Sequence, residues 1–228
     1  MEEKHSKRAL IRDIILGGQD GLVNVLGVLL AVATATNDRK IVIISGLAAT
    51  FAESISMAAV AYTSIKAADD YYQHRLSQEQ REIEEKPDEE TQEIRDIYRA
   101  KGFRGGLLSQ IVRKITSNKK LWLEEMMSHE HQLFAEDYSK PVKSAVVVGA
   151  AALAGSFIPL IPFMLADVKT GIILAIIFSI GALFCTGAAT GKLTGVDWKA
   201  NGAIMALVGM GAAIAGYAIG YFLGAVVV

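Results

Sequence analysis

Residues 144–166 read SAVVVGAAALAGSFIPLIPFMLA, a run of 23 residues without a charged side chain. Residues 170–191 and 200–228 are likewise uncharged, over 22 and 29 residues. About 20 apolar residues are enough to cross a bilayer as an α-helix. The last third of the chain therefore predicts three transmembrane helices, and with them an integral membrane protein.

Two further apolar stretches precede these three runs. Ile14–Asn37 is interrupted only by Asp20, and Ile41–Ile65 only by Glu53. The polar connection between them is so short that the two helices must form an antiparallel hairpin, and spans 3 and 4 are joined similarly around Asp167–Lys169. The sequence thus predicts an all-α membrane protein with five transmembrane helices.

The charges are concentrated between spans 2 and 3. Residues 69–140, called the insert below, contain 12 of the basic and 16 of the acidic side chains, although the net charge of the whole chain is only −1. Helix-breaking pairs predict three or four helices within the insert; they are Lys86-Pro87, Lys101-Gly102, Ser117-Asn118 and Lys140-Pro141. The predicted organisation is residues 1–68 with spans 1 and 2, residues 69–140, and residues 141–228 with spans 3 to 5.

Several classes of protein are excluded by the same composition. Without a long basic run there is no surface that would neutralise phosphates, so no nucleic-acid partner is expected. The single cysteine, Cys185, excludes an intrachain disulfide. No hydrolase or kinase signature occurs, and we predict that the chain is not an enzyme and has no organic cofactor. The first apolar stretch is too long for a cleaved signal peptide.

Basic residues near the span ends predict the orientation. Nine of them would share one side, against three on the other: Lys4, Lys7, Arg8, Arg12, Lys66, Lys140, Lys143, Lys192 and Lys199, against Arg39, Lys40 and Lys169. This excess places the N-terminus and the insert in the cytoplasm. The absence of a targeting extension suggests a prokaryotic cell membrane, with a vacuolar membrane as the alternative.

The two acids within the spans are the first candidate site, because an ionised carboxylate in hydrocarbon is costly and is retained mainly for function. Asp20 with Asn24, and Glu53 with Met57, are i,i+4 pairs that share a helix face. A rise of about 1.5 Å per residue gives the distance of each residue from the inner end of its span, Ile14 or Ile65. These distances interleave, at roughly 9, 12, 15 and 18 Å for Asp20, Met57, Asn24 and Glu53.

Facing each other, the four side chains would suit a divalent transition metal, since a thioether adds nothing for hard cations. The carboxyl groups could also carry protons. The alternative is structural: Asp20 caps or bonds a neighbouring helix, Glu53 is neutral and Met57 is packing. Glycines recur every four residues at Gly187, Gly191 and Gly195 and at Gly216, Gly220 and Gly224, and they fit either packing within one subunit or a dimer contact.

The insert contains the second candidate site. Glutamates at i,i+3 spacing mark two of its helices, and two methionines with a glutamate mark the last; the residues are Glu79, Glu82, Glu90, Glu93, Met126, Met127 and Glu130. Packed together, these helices would bring oxygen and thioether ligands to one metal site. The alternative is an acidic run on a solvated helix. The run 124–131 has no Glu-x-x-His spacing of the di-iron proteins, so its histidines are expected at the solvent or behind the ligands.

These motifs, in this order, resemble the vacuolar iron transporter family over nearly the whole chain. The resemblance is carried by Gly17–Val23 (GGQDGLV), Ser56-Met57-Ala58, the paired glutamates around Pro87, Trp122–Glu130 and Lys192–Gly195. It implies a homodimer in the lipid bilayer that exports Fe²⁺, with Mn²⁺, Zn²⁺ or Co²⁺ as further ions, from the cytosol in exchange for protons. It assigns Asp20 and Met57 to the translocation path and the seven insert residues above to metal binding.

The chain departs from the family pattern in span 2. Val60-Ala61 stands where Gly-Glu is usual, and Glu53 is the candidate to supply the missing carboxylate. Gln19 also replaces the usual Asn. Two other functions stay open: a membrane-anchored ferroxidase or metal-storage protein, and a sensor whose insert binds metal to recruit a partner.

Overall fold

A computed structural model describes residues 2–133 and 140–227, with side chains from residue 10 to 133 and from 140 to 224. This part of the chain forms eight α-helices, in agreement with the predicted all-α class. In chain order they are α1 (Glu2–Thr36), α2 (Arg39–Glu85), α3 (Pro87–Ala100), α4 (Gly105–Thr116), α5 (Lys119–His129), α6 (Pro141–Leu165), α7 (Val168–Thr194) and α8 (Trp198–Val227).

Five of these helices are long and apolar enough to cross a membrane, namely α1, α2, α6, α7 and α8. The five predicted spans are therefore confirmed as helices of spanning length. The predicted breaks of the insert also match the structure. Helix α2 ends just before Lys86-Pro87, α3 ends just before Lys101-Gly102, Ser117-Asn118 separates α4 from α5, and α6 begins at Pro141. The end of α5 at His129 was not predicted.

The helix that contains span 2 continues well beyond the predicted end of that span at Ile65. It runs to Glu85 because no Gly or Pro follows Gly46 until Pro87. A helix of 47 residues is about 70 Å long, more than twice the hydrocarbon thickness of about 30 Å. The charged half of α2 therefore lies outside the bilayer, and the boundary between span and insert is not a break in the helix.

The chain divides into two compact units, Met1–Tyr62 with Val142–Val228, and Thr63–Pro141. In the second unit an apolar core joins α2, α3, α4 and α5, with Ile83, Ile94 and Trp122 among its buried side chains. Helix α4 adds Leu108, Val112 and Ile115, at the spacing that lines one helix face. This core fixes the positions of the helices that carry the glutamates of the insert.

In the first unit, α1 lies at the centre of the apolar core. Its residues Leu26, Leu29 and Leu30 are fully buried against side chains of α2, α6, α7 and α8. At one end of this unit Arg39 donates to the backbone oxygens of Phe163, at 2.9 Å, and Met164. The turn between α1 and α2 and the end of α6 therefore lie on the same side, as the five-span topology predicts.

Glycines allow α1 to approach its neighbours closely. A Cβ on Gly17 would lie 2.2 Å from the oxygen of Val148 in α6, and one on Gly220 would lie 2.3 Å from the oxygen of Ala31. Gly216 and Gly224 of α8 also face α1, and Gly187 and Gly191 of α7 face α8. These glycines therefore pack within one chain. Gly195 has another role, because its φ of 78° ends α7 in the left-handed conformation.

Candidate metal sites

The first candidate site lies between α1 and α2. The side chain of Glu53 on α2 lies close enough to Asp20 and Asn24 of α1 to interact electrostatically with both. Two carboxyl groups can bond to each other only by sharing a proton, whereas the amide of Asn24 can donate to an ionised carboxylate. The three residues are called the intramembrane set below. A proton or a cation between the two acids would reduce the repulsion between them.

The side chains of the intramembrane set differ in exposure. Asp20 and Glu53 are half-buried, while Asn24 is exposed at the surface of the single chain. Met57 lies one helical turn beyond Glu53 on α2 and is also half-buried. The structure thus brings three of the four predicted path residues together, and the contact of Met57 with the other three stays a prediction.

The sequence interpretation missed Asp13, another acid of α1. Asp13 is 6% exposed, accepts a hydrogen bond from the hydroxyl of Ser144 in α6, and pairs with Arg12 at 3.1 Å. It lies seven residues before Asp20, and two helical turns place both acids on the same face of α1. That spacing was the signal that could have found it. Its partners make Asp13 a polar link between α1 and α6.

The second candidate site is formed by three segments of the insert. Helix α2 supplies two glutamates, α3 supplies two, and the turn after α5 supplies a glutamate and a histidine; this insert cluster consists of Glu79, Glu82, Glu90, Glu93, Glu130 and His131. Its ligand atoms form three overlapping groups of three, each within 4.8 Å: Glu79 with Glu130 and His131, Glu79 with Glu82 and Glu90, and Glu90 with Glu93 and Glu130. The five predicted glutamates therefore converge.

Two glutamates at the centre of the insert cluster are buried, and each has one oxygen without a hydrogen-bond partner. Glu79 is 1% exposed and Glu90 is 5% exposed, and one buried oxygen of each, Oε1 and Oε2 respectively, has no hydrogen-bond partner. Burial raises the pKa of Glu79 to about 7. Burial and then the neighbouring Glu79 carboxyl raise the pKa of Glu90 to about 8. Near neutral pH this pair therefore retains protons that a cation can replace.

Other acids of the insert behave as the solvated-helix alternative predicts. Glu84 pairs with Lys119 at 3.0 Å and Glu89 pairs with Lys86 at 3.1 Å, all four side chains being exposed. Such surface pairs contribute little to stability. Within the part of the insert that the structure describes, neither Glu79 nor Glu90 forms an ion pair with Lys or Arg. The structure thus separates ligand-like glutamates from surface glutamates that look the same in sequence.

Two further residues hold Glu82 in place. The side-chain amide of Gln78 donates to Glu82 Oε1 at 3.1 Å, and the guanidinium of Arg75 donates to Gln78 Oε1 at 3.2 Å. These residues lie at i,i+4 and i,i+3 on α2, a spacing that sequence could have indicated. Gln78 is therefore a positioning residue of the cluster.

The methionines of α5 are both buried, Met126 completely and Met127 to 2% exposure. Met126 belongs to the apolar core of the insert, together with Ile83 and Ile94. Packing therefore explains its burial, and the role of either sulfur as a metal ligand stays a prediction.

The two histidines after Met127 have different surroundings. His129 is exposed and lies 3.0 Å from the ammonium of Lys101 and 3.2 Å from Glu125. His131 is half-buried, and its Nε2 lies 3.0 Å from Glu79 Oε2. The sequence predicted each histidine either at the solvent or behind the ligands, and His129 and His131 occupy these two positions in turn. It did not predict which of them contacts Glu79, because a turn with Gln132 at a φ of 55° follows α5.

The chain combines five apolar helices, an acid pair within two of them and a carboxylate cluster in a helical insert. These features define the class of helical membrane proteins with two sets of side chains suited to divalent cations. A sequence model of the VIT family matches residues 11–221. The chain therefore belongs to the VIT family, which confirms the resemblance noted in the sequence.

Curated relatives agree with this family. The chain is 32% identical to "Vacuolar iron transporter 1" of Arabidopsis thaliana over 85% of its length and 78% of the relative. It is 30% identical to "Vacuolar iron transporter 1" of Tulipa gesneriana, over 95% of its length and 89% of the relative. It is 29% identical to "Protein CCC1" of Saccharomyces cerevisiae, over 81% of its length and 58% of the relative. The first two names are those of transporters, in agreement with the prediction that the chain is not an enzyme.

Proposed function

We propose that this protein transports Fe²⁺, and also divalent ions such as Mn²⁺, Zn²⁺ and Co²⁺, out of the cytosol in exchange for protons. The contact of Glu53 with Asp20 and Asn24 between two membrane-spanning helices carries this proposal. The names of the relatives support iron as the transported ion.

Exchange follows from competition at the intramembrane set. With one proton between them, Asp20 and Glu53 keep one negative charge. A divalent ion that replaces this proton would neutralise the pair, bound by the two carboxylates and the amide oxygen of Asn24. Met57 would add a thioether one turn away, which favours transition metals over Mg²⁺. Metal enters from one side as protons leave, and protons displace it on the other.

The insert, residues 69–140, would be a cytoplasmic metal-binding domain that collects the ion. The buried carboxyl groups of Glu79 and Glu90 support this role, since each has an oxygen that lacks a donor. The nine-to-three excess of basic residues at span ends supports the cytoplasmic side for both the N-terminus and the insert.

We also propose that the protein is a homodimer with the intramembrane set at the subunit contact. Asn24 is exposed on the single chain at membrane depth, where polar side chains face protein or water. On α2, Ala48, Ala52 and Ser56 are exposed at four-residue spacing, which permits close helix contact. Light scattering of the purified protein should give twice the chain mass of 24.5 kDa, and a monomer would contradict this proposal.

The names of the relatives bear on which membrane contains the protein. They agree with the vacuolar alternative and not with the prokaryotic cell membrane that the sequence suggested. In either membrane, the proposed direction takes metal away from the cytosol. Microscopy of the tagged protein in its own cells decides between the two.

Flux measurements in proteoliposomes test the transport proposal. Asp20→Ala should abolish Fe²⁺ or Mn²⁺ flux and the accompanying change of internal pH. The matched control is Asp38→Asn, because Asp38 Oδ1 only accepts from the backbone of Lys40 and Ile41, as an Asn oxygen can.

Full flux in the Asp20 variant would reject this route. Metal-dependent oxygen consumption by the wild-type protein without any flux would instead support the ferroxidase alternative. Metal binding with neither flux nor oxygen consumption would support a storage protein or a sensor.

A further inference from the structure

His131 lies within the insert cluster although no helical motif places it there. Its Nε2 is 3.0 Å from Glu79 Oε2, and its side chain is 18% exposed. The backbone fixes this position, because the amide N–H of His131 donates to the carbonyl of Met126 and that of Leu133 to the carbonyl of Met127. The imidazole is therefore held against a buried carboxyl group.

The surroundings of His131 are those of a ligand group. Glu79 and Glu130 each offer an oxygen within 4.8 Å of the imidazole nitrogen. The other Glu79 oxygen, Oε1, is buried and has no hydrogen-bond partner. Two ligand atoms bound at about 2.1 Å and at right angles to each other would be about 3.0 Å apart, which matches the distance observed between Nε2 and Oε2.

We propose that His131 is a nitrogen ligand of the insert cluster and that, with Glu79 and Glu130, it biases the cluster toward late first-row divalent ions. This inference rests on the proposed metal-binding role of the insert. An imidazole nitrogen gains more affinity along the series from Mn²⁺ to Ni²⁺ than a carboxylate oxygen does. The two groups that contain Glu90, with Glu79 and Glu82 or with Glu93 and Glu130, offer only oxygen atoms and lack this bias.

A purely structural role for His131 makes different predictions. If its N–H only donates to Glu79, His131 is a positioning residue, and its loss weakens all metals alike. A glutamine, which retains a side-chain amide donor, would then restore binding. A ligand role requires instead that the nitrogen itself contact the metal.

The experiment uses the full-length protein in detergent. Pulsed electron paramagnetic resonance of bound Mn²⁺ detects ¹⁴N coupling from a coordinated imidazole, and competition titrations give the affinities for Mn²⁺ and Ni²⁺. The variants are His131→Ala and His131→Gln, with His129→Ala as the matched control, because His129 is the exposed histidine of the same segment. Circular dichroism confirms that each variant is folded.

We expect the ¹⁴N coupling in the wild type and in His129→Ala, and its loss in both His131 variants. In both His131 variants the affinity for Ni²⁺ should fall by a factor at least about ten times larger than the factor for Mn²⁺. A wild-type spectrum without ¹⁴N coupling, or coupling that survives in His131→Ala, would overturn the ligand role. The ligand role would also be overturned if His131→Ala lowered the affinities for Mn²⁺ and Ni²⁺ equally and His131→Gln restored both affinities.

A separate variant tests the role on which this inference depends. The double variant Glu79→Gln, Glu90→Gln should bind less Mn²⁺ per chain than the wild type. Unchanged binding in this variant would overturn the insert as a metal-binding domain, whereas reduced binding without any ¹⁴N coupling would overturn only the part assigned to His131.

Discussion

The intramembrane set and the insert cluster both bring carboxyl groups together, but they would surround a cation to different degrees. Asp20, Asn24 and Glu53 come from two helices and remain partly or fully exposed on the single chain. The insert cluster draws six side chains from three segments and buries its central pair, Glu79 and Glu90. More ligands and deeper burial suit retention, whereas fewer ligands suit an ion that must leave again. The comparison suggests that one set passes the metal on and the other collects it.

The largest expected effect distinguishes the passage of metal at the intramembrane set from the collection of metal by the insert cluster. Glu53→Gln should abolish flux at every metal concentration, because the acid pair proposed to exchange a cation for protons is lost. Glu90→Gln should leave the maximal flux intact and raise the metal concentration for half-maximal flux, since only collection is weakened. Concentration series in proteoliposomes measure both. A lower maximal flux in Glu90→Gln with no change in half-maximal concentration would break the proposed division of roles.

A packing change in the first unit should affect one set alone. A Cβ on Gly155 would lie 2.1 Å from the backbone oxygen of Gly18, two residues before Asp20. Gly155→Val should therefore displace α1, destabilise the protein by about 1–3 kcal/mol and reduce flux severely. Mn²⁺ binding by the insert cluster should be unchanged. The control Gly211→Val, where no atom lies within 4 Å, should change neither flux nor this binding. Loss of Mn²⁺ from the insert cluster in Gly155→Val would show that the two sets depend on each other.

The insert cluster should show a moderate dependence on pH. Metal must displace the protons that Glu79 and Glu90 retain up to pH values of about 7 and 8. Mn²⁺ affinity should therefore rise from pH 6 to 8, by at most about tenfold per pH unit for each proton released, and then level off. Glu90→Gln should flatten the rise, while Glu84→Gln, a change at a surface ion pair, should not. Titrations at fixed ionic strength measure this, and affinity that falls with pH would contradict it.

The same pKa values predict the stability of the metal-free insert. Both glutamates have a folded-state pKa above the ordinary value of 4.5, so between about pH 5 and 8 the folded insert binds more protons than the unfolded chain. Its free energy of unfolding should therefore fall as pH rises through this range. Bound Mn²⁺ should offset that loss, which thermal unfolding with and without the metal would show.

The smallest expected effect concerns Gln78, which positions the carboxyl group of Glu82. Gln78→Ala removes the donor that holds Glu82 and should weaken Mn²⁺ binding by a factor of about three to ten, the equivalent of one hydrogen bond. The matched control is Gln92→Ala, because Gln92 donates in the same i,i+4 manner to the exposed Asp96. Equal effects of the two changes would show that Gln78 acts through helix stability alone.

Sequence periodicity predicted the helices better than it predicted their limits. The five spans and the breaks of the insert were marked by charge-free runs and by Pro, Gly and Asn, which act locally. The continuation of α2 to Glu85 was missed because a change from apolar to charged residues resembles an end, although nothing there breaks the helix.

The candidate sites divide in a similar way. Helical spacing indicated the glutamates of α2 and α3 and the pairing of Asp20 with Asn24, since these contacts repeat along one face. His131 and the link from Asp13 to Ser144 depend on a turn and on a neighbour 131 residues away. Sequence also could not separate the buried Glu90 from the ion-paired Glu89 beside it, because burial is decided by the packing of the whole insert.

The glycine contacts of α1 restrict how this protein can change shape. Gly17 of α1 and Gly155 of α6 lie at the contact between these two helices, and Gly216 and Gly220 of α8 lie against α1. At each contact only a hydrogen atom fits between the backbones. If α6 or α8 slid along α1 by one residue, a methyl group or a larger side chain would have to enter that gap. Helices α1, α6 and α8 should therefore turn together as a single block, and opening toward either side of the bilayer would come from rotation of that block rather than from slippage inside it.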